Sequence, residues 1–182
     1  VSDNMAYILL LIYIYLVCGV VFFAQKRKTY NHFKYSISEL AELGSEYEKQ
    51  VSYFIFLPVG LGCLFVSWVT YTSNYPVAFL SGAIGLSYFL SAFFPCDPKT
   101  PLLGNWKNFV HNIIGGVCYA AMAYQLNELI DNHSIWFIEL AFSLLCAFLF
   151  IFLIGFPKNM VGLTQRLAET SIFLCSVLLL LE

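Results

Sequence analysis

The chain has 182 residues, 60% of them hydrophobic and 11% charged, with nine Lys and Arg against eleven Asp and Glu. A soluble domain carries about 25% charged residues, so this composition excludes an ordinary water-soluble fold, as does the mean hydropathy of +0.76. The near-neutral charge balance argues against a nucleic-acid partner.

A bilayer core is crossed by about 20 apolar residues in a helix. Six segments meet that length, over about 5–24, 48–71, 76–94, 109–127, 134–156 and 161–181. The first reads as a span rather than a cleaved leader, because no basic residue precedes it and no small-x-small site follows. The expected fold is an all-α integral membrane protein, one compact bundle of six transmembrane helices over 1–182, without a second domain.

All nine basic residues fall in or beside the first, third and fifth connections, from Lys26, Arg27, Lys28, Lys34 and Lys49 through Lys99 and Lys107 to Lys158 and Arg166. The positive-inside rule then places those connections in the cytoplasm and both termini outside.

The first connection ends YSISELAELGSEYEKQ. Ser36 with Glu39, and Ser45 with Glu48, match the capping box, and Gly44 fits a helix end. A short interfacial helix is expected over about 37–43, with Ile37, Leu40 and Leu43 as its apolar stripe. Ser36 and Ser38 compete for the capping role, which leaves Glu39 open to a functional one. In the second span Pro58 is expected to bend the helix and free a carbonyl about one turn earlier. Gly60 and Gly62, then Ala78, Gly82 and Gly85, then Gly115, Gly116 and Ala120 supply close-approach faces for neighbouring helices.

The third connection, FFPCDPKTPLLGNWKNFVHN, leaves one apolar run and enters the next. Pro95 and Pro98 stiffen the turn, and Asp97 is able to fold back on nearby backbone as an Asx-turn. Of the six cysteines, only Cys96 lies in a loop. The other five sit in apolar runs and read as small hydrophobes, with no zinc-ligand spacing among them. His111 and Asn112 lie just inside the fourth span, where an unpaired ring nitrogen is costly. Gly115, one turn on, leaves room beside the ring.

The last span opens NMVGLTQRLAETSIF. Arg166 and Glu169 are three apart and Gln165 and Glu169 four apart, so each pair is able to meet on one helix face. Arg166 either faces the bundle interior or snorkels to the membrane surface. Because the odd-numbered connections share one face, Glu39, Asp97, His111, Gln165, Arg166 and Glu169 are expected to converge at one depth.

SISELAELG, FFPCDP followed by His-Asn, and GLTQR, in that order, resemble an uncharacterised bacterial and archaeal membrane family, domain of unknown function 998. The resemblance spans essentially the whole chain and implies a six-helix membrane fold with no established reaction. Its family-like positions are Ser38, Glu39, Leu40, Gly44, Pro95, Asp97, His111, Gln165 and Arg166. It also implies a prokaryotic plasma membrane. The family pattern, with basic residues before the first helix, turns the motifs outward, opposite to the charge rule.

Two functions are compatible with these residues. In the first, the protein binds or processes a membrane lipid or amphipathic molecule. Arg166 then holds an anionic head group, with Gln165, Glu39, Ser38 and Asn112 as further binding residues. His111 with Asp97 or Glu169 carries proton transfer. In the second, the protein is a non-catalytic accessory subunit with membrane-protein partners, its polar cluster pinning helices together. Neither a Ser-His-Asp order nor an HExxH motif decides for an enzyme. No metal or cofactor is expected, because His111 and His133 fall at opposite faces and do not suit a shared haem.

Overall fold

The computed structural model describes residues 2–99, 101–131, 136–155 and 158–182. His133 lies outside them, as do residues 134, 135 and 156 of the expected fifth span. Among the described residues there is no strand, and six long helices make the fold. These are α1 (Ser2–Lys26), α2 (Glu48–Thr70), α3 (Tyr75–Ser91), α4 (Trp106–Ile130), α5 (Trp136–Ile154) and α6 (Val161–Leu181). Four of them, α1, α2, α5 and α6, are long and apolar enough to cross a membrane. At 17 residues α3 is shorter, and α4 is long but more polar.

Short connections make sequential helices neighbours. They pack in chain order into a ring that α1 and α6 close, and α6 also reaches across to α3. The apolar stretch of α6 is 56% buried, against 22% for that of α5. Chain order places α6 last, and packing places it innermost. That position explains why the polar residues at its start, Gln165 and Glu169, are buried.

The tightest helix pair is α2 with α3. A Cβ added at Gly60 would meet the backbone N of Phe89 at 2.5 Å, and one at Gly85 would meet Leu64 N at 2.9 Å. Here the small residues do permit close approach. Gly115 and Gly116 behave differently from the expectation, because nothing lies within 4 Å of a Cβ added at either. Their missing side chains leave space rather than a helix contact.

Pro58 has no N–H to give the carbonyl one turn back. The helix answers with a π-helical turn over Ser52–Phe56, and Tyr15 of α1 donates its hydroxyl to the Phe54 carbonyl. The π-turn before Pro58 is therefore held by a neighbouring helix.

The interfacial helix expected over 37–43 is a shorter 3₁₀ turn, Ser38–Ala41. Glu42 turns extended and Gly44 takes a positive φ of 80°, which stops the turn early. Ile37 and Leu40 are buried in the protein core, while Leu43 is exposed. The turn is thus a docked plug of the bundle, with Leu43 N donating to the Cys96 carbonyl at 2.8 Å.

Exposed Trp and Tyr rings mark both ends of the bundle: Tyr7, Trp68, Tyr71, Tyr75, Tyr124 and Trp136 at the end with the even-numbered connections, Tyr53 and Trp106 at the other. Trp and Tyr favour the membrane–water boundary. The end with the odd-numbered connections also carries the buried polar side chains Ser36, Glu39, Asn108, His111, Gln165 and Glu169.

Candidate functional site

At that polar end the α4 N-terminus and the third connection are stitched together by asparagines. Asn105 caps α4, accepting from Lys107 N at 2.8 Å and Asn108 N at 3.1 Å. It also donates its side-chain amide to Asp97 Oδ1, and its backbone N to Asp97 Oδ2 at 2.8 Å. Asn108 accepts from Asp97 N and donates to the Pro101 carbonyl at 2.7 Å. Asp97 therefore closes the loop onto Asn105, eight residues on, rather than making a local Asx-turn. Cys96 is fully buried beneath it, and burial pushes its thiol well above the ordinary range, with Glu39 and Glu42 adding to the effect. A neutral buried thiol is not a nucleophile.

This staple sets the position of His111. Its Nδ1 lies 2.8 Å from the Phe94 carbonyl. A carbonyl only accepts, so Nδ1 carries a proton, and whenever the ring is uncharged Nε2 is its acceptor. Asn112 donates Nδ2 to the carbonyls of Pro101 (2.8 Å) and Leu102 (3.3 Å), which fixes its amide orientation. Asn112 Oδ1 is then buried with no partner, the one such side-chain atom among the described residues.

His111 and Asn112 line a cavity of about 50 Å3 together with Ser38, Gly116, Gln165 and Glu169. That is room for a few waters or a compact polar group. Gly115, Ser36, Ser87, Ser91, Tyr88 and Tyr119 line it too, and Phe56, Phe148 and Phe152 supply aromatic wall. The hydroxyls of Ser38, Ser87 and Ser91 make no hydrogen bond within the protein among the described residues. One half of the chamber is therefore open to a ligand's polar atoms.

The other half is saturated. Glu169 Oε2 accepts from the Tyr88 hydroxyl, and Oε1 accepts from the Tyr119 hydroxyl and from Gln165 Nε2 at 2.9 Å. Gln165 Nε2 also donates to the Tyr119 oxygen at 3.2 Å, while its Oε1 accepts from Ile37 N at 2.7 Å. One amide thus links the docked turn to the buried carboxylate. The sequence carried no sign of Tyr88 and Tyr119 as partners, because a tyrosine in a span looks the same whether it faces lipid or a carboxylate.

Arg166 does not pair with Glu169, as the three-residue spacing had suggested. Its Nη1 donates to the carbonyls of Gly162 (2.7 Å), His32 (2.8 Å) and Tyr35 (3.0 Å), and its Nη2 to the Tyr30 hydroxyl at 2.6 Å. It lines a second groove with Tyr13, His32 and Ile37, and Glu169 borders both that groove and the chamber. Burial raises the Tyr30 hydroxyl to about 12 against the opposing pull of Arg166, and burial lowers His32 from its ordinary value, with Arg166 adding to that.

Glu39 is committed to the first connection. Its Oε2 accepts from Ser36 N at 2.7 Å, and Ser36 Oγ accepts from Glu39 N at 3.2 Å, a complete capping box. Ser36, not Ser38, fills the capping role. Of the residues singled out in the sequence, His111, Asn112, Gln165, Glu169 and Ser38 share one chamber. Asp97, Glu39 and Arg166 do not line it. Among the described residues, no three His, Cys, Asp or Glu side chains come together as a metal-ligand set.

The fold and chamber define a small all-helical protein with membrane-type helices, built around a polar cavity at one end. The chain belongs to a family of proteins of unknown function, DUF998, whose pattern matches residues 10–182. No curated protein and no solved structure is similar to it at a significant level.

Proposed function

We propose that the protein is a six-span membrane protein that takes the polar head of a lipid or other amphipathic small molecule into the His111 chamber. In this reading α3 and α4 cross the bilayer with the other four helices, shielded where they are polar by their neighbours. The nine basic residues beside the odd-numbered connections support a cytoplasmic chamber in a prokaryotic plasma membrane, with both termini outside.

The observation that carries the reading is Asn112 Oδ1, a buried acceptor without a donor. An orphaned buried polar atom costs about 1–3 kcal/mol, and here it shares a cavity with the free Nε2 of His111 and three unpaired serine hydroxyls. A ligand bearing hydroxyl or N–H groups satisfies all of them. His111 Nε2, held in one tautomer by Phe94, is the group suited to take a proton from that ligand. The saturated Glu169 cluster fits the second role, pinning helices in an accessory subunit, but the open half of the chamber does not.

Native mass spectrometry of protein released from mild detergent tests this. Gly116→Leu fills the chamber from a position with no near neighbour, so the fold is expected to survive. The expected result is a small amphiphile retained by the wild type and lost from this variant. A wild type that carries none, or equal retention in both, overturns the reading.

A further inference from the structure

Beside the chamber lies a larger groove of about 630 Å3. Phe152 lines both. The groove is formed where the first, third and fifth connections meet the end of the bundle. Its polar lining is Lys34, Tyr35, Glu39 and Lys99, and its apolar lining includes Leu102, Ile154 and Val161.

The two lysines are not used by the fold. Among the described residues the ion pair is Arg27 with Glu42, and neither Lys34 nor Lys99 has a carboxylate partner. Lys34 Nζ sits 5.4 Å from the centre of the Tyr35 ring, a contact that steadies the side chain without neutralising it. The carboxylate in the groove, Glu39, accepts from Ser36 N and offsets at most one of the two lysines, so the lining keeps an excess of positive charge. Lys99 has a φ of 66°, the one positive value outside glycine among the described residues. Leu102 and Ile154 leave more than half of their surface exposed beside these cations. Positive charge next to open apolar wall is complementary to an anionic head on a hydrocarbon chain, and lysine serves phosphate as a point charge.

We infer that this groove binds the phosphate of an anionic phosphate-ester amphiphile between Lys34 and Lys99, with its chain along Leu102 and Ile154 and its head beyond Phe152. The inference rests on the chamber reading and adds the chemical class of its ligand. Arg166, the residue the sequence offered for the anion, is spent on backbone carbonyls, and the lysines take that place.

The test uses the full chain in nanodiscs of phosphatidylcholine with or without phosphatidylglycerol, followed by native mass spectrometry of retained lipid. The wild type is expected to retain phosphatidylglycerol in preference, and Lys34→Gln with Lys99→Gln to lose about tenfold or more of that retention, two near-surface charges' worth. Lys26→Gln with Lys28→Gln removes the same charge from the same end, at exposed sites outside the groove, and is expected to keep it. Equal loss in both double variants means surface charge alone and overturns the inference. Displacement of the lipid by millimolar inorganic phosphate means a free-phosphate site and also overturns it. A wild type that retains a neutral or carboxylate amphiphile sinks the phosphate assignment alone. One that retains no amphiphile sinks the chamber reading with it.

Discussion

Arg166 donates to the carbonyl of Tyr35 at 3.0 Å, across 131 residues of chain. The same guanidinium holds His32 and Tyr30, so the start of α6 grips the first connection through three of its residues. Hydrogen bonds from a charged donor are worth about 1.5–3 kcal/mol. Arg166→Ala is expected to lose that order of stability in detergent and to open residues 28–35 to protease. Arg166→Lys is expected to recover less than half, because an ammonium cannot reproduce the planar fork. Thermal melting with limited proteolysis reads both. Unchanged melting in Arg166→Ala would show that the grip contributes nothing.

Gly162 makes that grip possible. A Cβ there would run into the Tyr35 carbonyl oxygen and lie 2.6 Å from that of His32, both backbone atoms with little freedom to yield. Gly162→Ala is expected to cost about 1–3 kcal/mol, the usual range for overpacking. Gly115→Ala is the control, since its added methyl meets nothing within 4 Å. The pair should separate in thermal midpoint, with Gly162→Ala alone displaced. The motif GLTQR then has a physical meaning: Gly162 admits the loop, Gln165 holds Ile37 N, and Arg166 holds the carbonyls.

Tyr15 and Pro58 form a coupled pair through the Phe54 carbonyl. Tyr15→Phe leaves that carbonyl without its hydroxyl donor and is expected to cost about 1 kcal/mol. Pro58→Ala restores a backbone N–H to the helix, so the same change at Tyr15 should then cost much less. A double-mutant cycle measures the difference. Additive effects would mean that Tyr15 does not serve the carbonyl that the proline leaves free.

Helix periodicity made the elements legible, down to the His111–Gly115 step that opens the chamber and the Ser36–Glu39 capping box. Three features were not. The depth of α6 in the bundle depends on how the ring closes, which no local pattern encodes. Tyr88 and Tyr119 are indistinguishable in sequence from lipid-facing rings. Arg166 and Glu169 have the spacing of a pair, but a long guanidinium reaches further than its own helix face, and the carbonyls at Gly162's bare surface lie closer to hand. The lysines of the groove were visible only as topology charges, because a cation's function depends on what remains to neutralise it once the fold has used its carboxylates.

Glu39 provides a pH-dependent test of the docked turn. Burial is the largest influence on its carboxyl and raises it above its ordinary 4.5, although the hydrogen bonds from Ser36 pull the other way. A group that binds its proton more tightly in the fold than in the unfolded chain favours the folded state most below the unfolded value. That contribution is lost as pH rises through the raised value and is level beyond it. Glu39→Gln keeps an acceptor for Ser36 N but has no proton to lose. Its stability relative to wild type should therefore increase from about pH 4 upward and reach a plateau once the wild-type carboxyl has ionised. Glu39→Ala loses the cap at every pH, at a cost of about 1 kcal/mol. Denaturation of all three in detergent across this range separates the two contributions. A Glu39→Gln difference that does not change with pH would mean that the carboxyl is as well solvated in the fold as in the open chain, and that the turn is not seated against the bundle.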